Sequence, residues 1–205
     1  MVCLKEATIE KLSRARSEGL VDPEVVPLLD AINRLPGAVT TSSCSGRFQL
    51  IQVPDLGDKQ GSNILGKWHR KVTSGEVIEA YSTWDGSGQV HLLVQPLLVH
   101  VRCRDVATTA MIRNLAQEGG LKFSTVRSLK LGNDGQVVEW GAVVEMMGTE
   151  RMEVPIHCID GEVVAKILPA LIDHGNGLMD RTRSNIDRMV RLFSELFPVN
   201  STVHK

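Results

Sequence analysis

Apolar residues recur at helical spacing near the N-terminus, and Leu4 to Ser17 reads as an amphipathic helix closed by Gly19. Asp22-Pro23 has the chemistry of a helix start, an N-cap acid followed by proline at the first helical position. Val25, Leu28, Leu29, Ile32 and Leu35 keep helical spacing until Pro36-Gly37 ends the run. The period then changes. Ala38 to Thr41 and Arg47 to Val53 read as two strands joined by a tight Ser-rich turn, followed by a long polar loop from Pro54 to Lys71. Gln89 to Gln95 and Leu97 to Cys103 are strand-like, with Pro96 between them. Asp105 caps a helix that stops at Gly119-Gly120. Ser124 to Leu131 and Gln136 to Met146 flank Gly132-Asn133-Asp134-Gly135, a hairpin turn. Glu153 to Ile159 reads as a further strand, and Val163 to Asp173 as a helix bent at Pro169. After His174-Gly175-Asn176-Gly177 a last helix begins near Asp180, with Ile186, Met189, Val190, Phe193, Leu196 and Phe197 on one face.

Strands cluster in runs and do not alternate with helices. That predicts an α+β fold, a mixed and mostly antiparallel sheet with packed helices, of non-Rossmann type. No composition shift marks a domain boundary, so residues 1–205 are expected to form a single domain.

The composition adds exclusions. The chain of 205 residues is 42% hydrophobic and 23% charged, an ordinary globular balance. Its 23 Lys and Arg against 24 Asp and Glu give a net charge of −1, which argues against a protein that coats nucleic acid non-specifically. A local basic face remains compatible with that charge. No apolar run is long enough for a membrane span, and residues 1–11 carry Glu6 and Glu10 without the apolar core of a signal peptide. A cytoplasmic location is expected. Cys3, Cys44, Cys103 and Cys158 form no C-x-x-C pair, so neither a zinc ribbon nor a disulfide scaffold is expected, and no metal. Cys103 and Cys158 lie in apolar strands and read as core, and Cys3 as an incidental exposed thiol. With 4% aromatics, an aromatic stacking platform of the RNA-recognition-motif kind is not expected. Dinucleotide, P-loop, nucleophile-elbow and zinc-deaminase fingerprints are all missing.

The most distinctive stretch is Thr40-Thr41-Ser42-Ser43-Cys44-Ser45-Gly46-Arg47. It places five hydroxyls, a thiol, a glycine and a guanidinium on one strand-turn-strand. Backbone N–H groups in such a turn can cradle an anion, and Arg47 can fork onto a carboxylate or phosphate. A polar hairpin loop has the same composition. Cys44 is a nucleophile only if a cation or a histidine lowers its pKa; otherwise it is a packed turn residue. Lys67-Trp68-His69-Arg70-Lys71 puts a Trp and a His among cations at the end of the loop, a candidate for base stacking with phosphate contacts. In the strand Leu97 to Cys103, His100 and Arg102 share the face opposite Val99 and Val101.

The string Thr41 to Arg47, T-S-S-C-S-G-R, resembles the signature of the tRNA wybutosine-synthesis methyltransferases, the third enzyme family of the wyosine pathway. Val21-Asp22, Ile32-Asn33, Lys67-Trp68-His69, the strand Pro96 to Val101, Gly119 to Ser124 and Val154-Pro155 follow the family's order, over roughly Lys5 to Pro198. Phe48 and Leu121 depart from its pattern at packing positions. The resemblance implies an S-adenosyl-L-methionine-dependent methyltransferase of phenylalanine tRNA. Its target is ring N4 of the tricyclic 7-aminocarboxypropyl-demethylwyosine base beside the anticodon, and the anticodon stem-loop is the expected partner. A general base is needed, and His100 and His69 are the candidates, His100 preferred because a strand holds it. Ser42, Ser43, Cys44, Ser45, Gly46 and Arg47 would bind substrate or cofactor. Lys67, Trp68, Arg70, Lys71 and Arg102 would meet the RNA. The competing readings are a hydrolase or transferase using Cys44 with a histidine, and a non-catalytic tRNA-binding protein.

Overall fold

The computed structural model describes residues 4–54, 61–159 and 161–196. Cys3 and Phe197 lie outside them. The elements run α1 (Leu4–Ser17), a 3-10 turn (Pro23–Val25), α2 (Val26–Asn33), β1 (Ala38–Cys44), β2 (Arg47–Val53), β3 (Asn63–Trp68), α3 (Ser74–Tyr81), β4 (Gln89–Gln95), β5 (Leu98–Cys103), α4 (Val106–Glu118), β6 (Thr125–Leu131), β7 (Val137–Met147), β8 (Met152–Pro155) and α5 (Gly161–Leu196). The fold is α+β, and every recorded strand pair is antiparallel. Where the strand runs predict one sheet, there are two of four strands each, in the orders β1-β5-β7-β6 and β3-β2-β4-β8.

Each sheet belongs to its own compact unit. The first comprises residues 1–45, 97–149 and 183–205, the second 46–96 and 150–182. The chain changes unit at Ser45/Gly46, Pro96/Leu97, Thr149/Glu150 and Thr182/Arg183. Each has a separate core. In the first, Val99, Val101 and Cys103 of β5 and Ala142, Val144 and Met146 of β7 meet α2, α4 and the C-terminal part of α5. In the second, Phe48 and Leu50 of β2 and Val90, Leu92 and Val94 of β4 meet Val77 of α3 and Leu168, Ile172 and Met179 of α5. The strict alternation of buried and half-buried residues along β4 and β5 is what a sheet covered on one face requires.

Several local expectations change. β1 runs on through Ser42 and Ser43 to Cys44, so the turn shrinks to Ser45-Gly46. β1 and β2 do not pair with each other: β1 pairs with β5 and β2 with β3 and β4. Gly46, at φ +91°, adopts a backbone conformation that disfavours a side chain, and there the chain leaves one sheet for the other. Lys67 and Trp68 lie in a strand rather than a loop, because β3 pairs along β2 from Phe48↔Trp68 to Gln52↔Asn63. β8 is shorter than predicted and Cys158 lies beyond its end, exposed rather than buried. Asp22 makes no side-chain cap to the 3-10 turn that follows it.

The His174 to Gly177 stretch does not interrupt the last helix: α5 is continuous for 36 residues and passes through Pro169 as well. The helix needs Gly175 for contact, since a Cβ there would come within 2.4 Å of Phe48 Cζ. Asn176 holds the backbone of Val72 at both ends, accepting from its N–H at 3.0 Å and donating to its carbonyl at 2.9 Å. Among the described residues no helix is long and apolar enough to cross a membrane.

Candidate functional site

Antiparallel registry brings the first polar cluster together. Ser42 of β1 is paired with His100 of β5, which is paired with Glu145 of β7. Thr41 is an extra residue in β1, since Thr40 faces Val101 and Ser42 faces His100. That bulge sets Ser42 on the His100 face of the sheet. Ser42 Oγ lies 2.7 Å from His100 Nδ1, and Glu145 Oε2 lies 2.7 Å from Nε2. Arg127 of β6 donates to the same Glu145 oxygen. The hydrogen bond from His100, with help from Arg127, holds the Glu145 carboxyl below the usual glutamate range despite some burial. An ionised Glu145 is an acceptor only, so we assign the His100 proton to Nε2. Nδ1 then faces Ser42 as an acceptor. The His100 side chain is 19% exposed, which fixes it while leaving it within reach of solvent.

Sequence patterning placed His100 on this face but gave no sign of Glu145 or Arg127. Glu145 lies on a distant strand whose alternation marks only a non-core face. Its role depends on registry between β5 and β7. For the reading that pairs Cys44 with His100, register puts Cys44 opposite Leu98 instead. Both nitrogens of His100 are taken by Ser42 and Glu145.

At the end of the signature, Ser45 N–H donates to the Asp22 carboxylate at 2.7 Å. Arg183 donates to the Ser45 carbonyl at 3.1 Å and pairs with Glu24 at 3.2 Å. The turn therefore offers this N–H to an acid of the protein itself. Asp22, which the sequence suggests as a helix cap, is instead a hydrogen-bond partner of the signature turn. Ser45 Oγ is fully buried and makes no hydrogen bond to the described residues.

In the second unit Arg47 donates to the Gln95 side chain at 2.6 Å. Trp68 packs against that unit's core with its ring across Gly66, where a Cβ would come within 2.1 Å of it. His69 follows directly, half-buried. Arg70 is paired with Glu76 at 2.6 Å and Lys71 with Asp180 at 2.6 Å, whereas Lys67 is exposed. Arg102 lies on the His100 face of β5, half-buried. Cys103 is core, and burial pushes its thiol up to about 11.

Residues 3–196 match the family described as methyltransferase TYW3. A tRNA(Phe) 7-((3-amino-3-carboxypropyl)-4-demethylwyosine(37)-N(4))-methyltransferase of Thermococcus sibiricus is 36% identical over 90% of both chains. One of the same name from Methanocaldococcus jannaschii is 33% identical over 94% of this chain and 96% of its own. A solved protein of Pyrococcus horikoshii OT3 superposes with a TM-score of 0.80 at 31% identity, over 94% of this chain and 92% of the other. With its signature, fold and length all in agreement, the chain belongs to the methyltransferase TYW3 family.

Proposed function

We propose that this protein transfers a methyl group from S-adenosyl-L-methionine to ring N4 of 7-aminocarboxypropyl-demethylwyosine in phenylalanine tRNA. The base beside the anticodon is the target and the anticodon stem-loop the contacted region. Family membership and the full-length relatives named for this reaction support the reading. The observation that carries its chemistry is the His100 ring, held at both nitrogens with one of them on a serine of the signature.

Methylation of a ring nitrogen releases a proton. His100 is the general base in this scheme. Ser42 passes the proton on: its hydroxyl accepts from the substrate N–H and donates to Nδ1. Glu145 stabilises the imidazolium that forms, and Arg127 keeps Glu145 ionised. A positioned general base contributes roughly 10²–10⁴ in rate. His69 is the alternative base.

S-adenosylmethionine, when bound, supplies a methyl group activated by a sulfonium. The signature has groups that fit it: the unpartnered hydroxyl of Ser45 and the Asp22 carboxylate suit a cationic amino-acid end. Arg47 suits a carboxylate, either of that end or of the aminocarboxypropyl arm. Ser43, Cys44 and Gly46 complete the proposed binding segment. Lys67, Trp68, Arg70, Lys71 and Arg102 are the proposed RNA contacts, and Arg70 and Lys71 must exchange an intramolecular acid for phosphate to serve.

The test is mass spectrometry of nucleosides from precursor tRNA incubated with the protein and S-adenosylmethionine. A gain of one methyl on the tricyclic base is expected. An unchanged base in the presence of demonstrated tRNA binding overturns the reading.

A further inference from the structure

The first unit holds a cavity of about 660 Å³ between α1 and the edge strand β1, well within the size range of small-ligand sites. One wall is apolar, formed by Leu4, Ala7, Leu12 and Ala15 along α1. The other is polar, formed by Thr40, Thr41, Ser42 and Ser43 of β1. Among the described residues, Lys11 and Arg102 are the charged residues of the lining, and no carboxylate is part of it. Neither is engaged by an ion pair or hydrogen bond among the described residues, and the same holds for the Ser43 hydroxyl.

The helix itself is unusual. None of the residues of α1 is buried, although the helix is 14 residues long. Its half-covered apolar stripe faces the cavity. A site with two unpaired cations and no acid disfavours a sulfonium with its ammonium group, so it does not suit the methyl donor. It favours an anion carrying an apolar, planar body.

We propose that the cavity between α1 and β1 binds a nucleotide, with the phosphate on Lys11 and Arg102, the base against the α1 wall, and ribose hydroxyls toward Ser43. Lys and Arg are the usual phosphate partners in nucleic-acid recognition, and ligand pockets join a mostly apolar wall to a few placed polar groups. The nucleotide is either one residue of the tRNA or a free mononucleotide. Only the tRNA source rests on the methyltransferase reading.

The experiment uses the full chain without methyl donor. Calorimetric titration with adenosine 5′-monophosphate is compared with adenosine and with inorganic phosphate. The monophosphate should bind at least tenfold more tightly than either. The double variant Lys11→Gln, Arg102→Gln should lose at least tenfold, and Ala15→Phe, which fills the cavity without changing charge, should abolish binding. Melting temperatures establish that the variants are folded, and the double variant replaces partly exposed side chains. Transcribed phenylalanine tRNA is then titrated. A parallel loss of at least tenfold, with a shallower salt dependence, assigns the nucleotide to the tRNA. Unchanged tRNA affinity beside lost monophosphate binding assigns a free nucleotide. Monophosphate binding no tighter than adenosine, or undiminished in the folded double variant, overturns the proposal. Because methyl transfer is read separately, failure of the methylation assay leaves this result intact.

Discussion

His100 Nε2 stands 2.7 Å from Glu145 Oε2, across a strand pair whose registry sets the two residues directly opposite one another. The contact joins a histidine that sequence patterning marks to a glutamate that it does not. It determines which ring nitrogen carries the proton, and so which nitrogen is left to act as a base toward Ser42.

Removing that control has a kinetic signature. In Glu145→Gln the imidazolium loses its ionic partner, so methyl transfer should fall at least about tenfold. His100→Ala should cost about 10²–10⁴ with tRNA affinity kept. Single-turnover methylation across pH checks both, and a His100→Ala enzyme of normal rate would move the base to His69.

Acid stability follows from the same carboxylates. The folded pKa of Glu145 is lowered, so its contribution is complete above the ordinary glutamate range and is lost as pH falls through the folded value. Glu76 behaves alike: Arg70 and the Thr73 backbone and hydroxyl, its capping-box partners, lower it to about 2. Melting temperature should therefore drop from the ordinary carboxylate range down toward pH 2. In Glu145→Gln, Glu76→Gln that acid-side slope should flatten.

Within the signature, gripping and chemistry separate. Arg47→Lys should weaken ligand binding about tenfold to a hundredfold, since an ammonium cannot make the planar two-point contact. Cys44→Ser should retain most methyl transfer, because displacement at a methyl group requires no thiolate. Binding and turnover of both variants are compared. A dead Cys44→Ser enzyme with normal binding would give the thiol a chemical role.

The glycine in α5 has a structural prediction of its own. Gly175→Ala drives a methyl group into the buried Phe48 ring and should destabilise the protein by about 1–3 kcal/mol. The combination with Phe48→Leu should recover part of the loss, read by urea denaturation.

The sequence by itself determined the elements whose physics is local. Helix α1 matches its predicted span because its pattern is complete within 14 residues. Asp105 caps α4 through Thr108 N at 2.8 Å, as an Asp before an apolar run should. The hairpin between β6 and β7 turns at Gly132 to Gly135, with Gly132 N–H bonded to the Gln136 carbonyl. The signature string is likewise a local pattern, and it is the most specific element of the family resemblance. Tertiary structure decided whatever depends on partners far along the chain. Gly175 reads as a helix stop until Phe48, a residue of another element, explains why a glycine is needed there. Asp22 reads as a cap until Ser45 claims its carboxylate. Ser42 reads as part of a turn and Arg47 as the start of the strand after it, yet pairing with β5 and with β4 puts them in strands of different sheets. Local periodicity sets which way a side chain points along its own strand. Which residue it meets is fixed by strand registry, and registry is a property of pairs that a single segment does not encode.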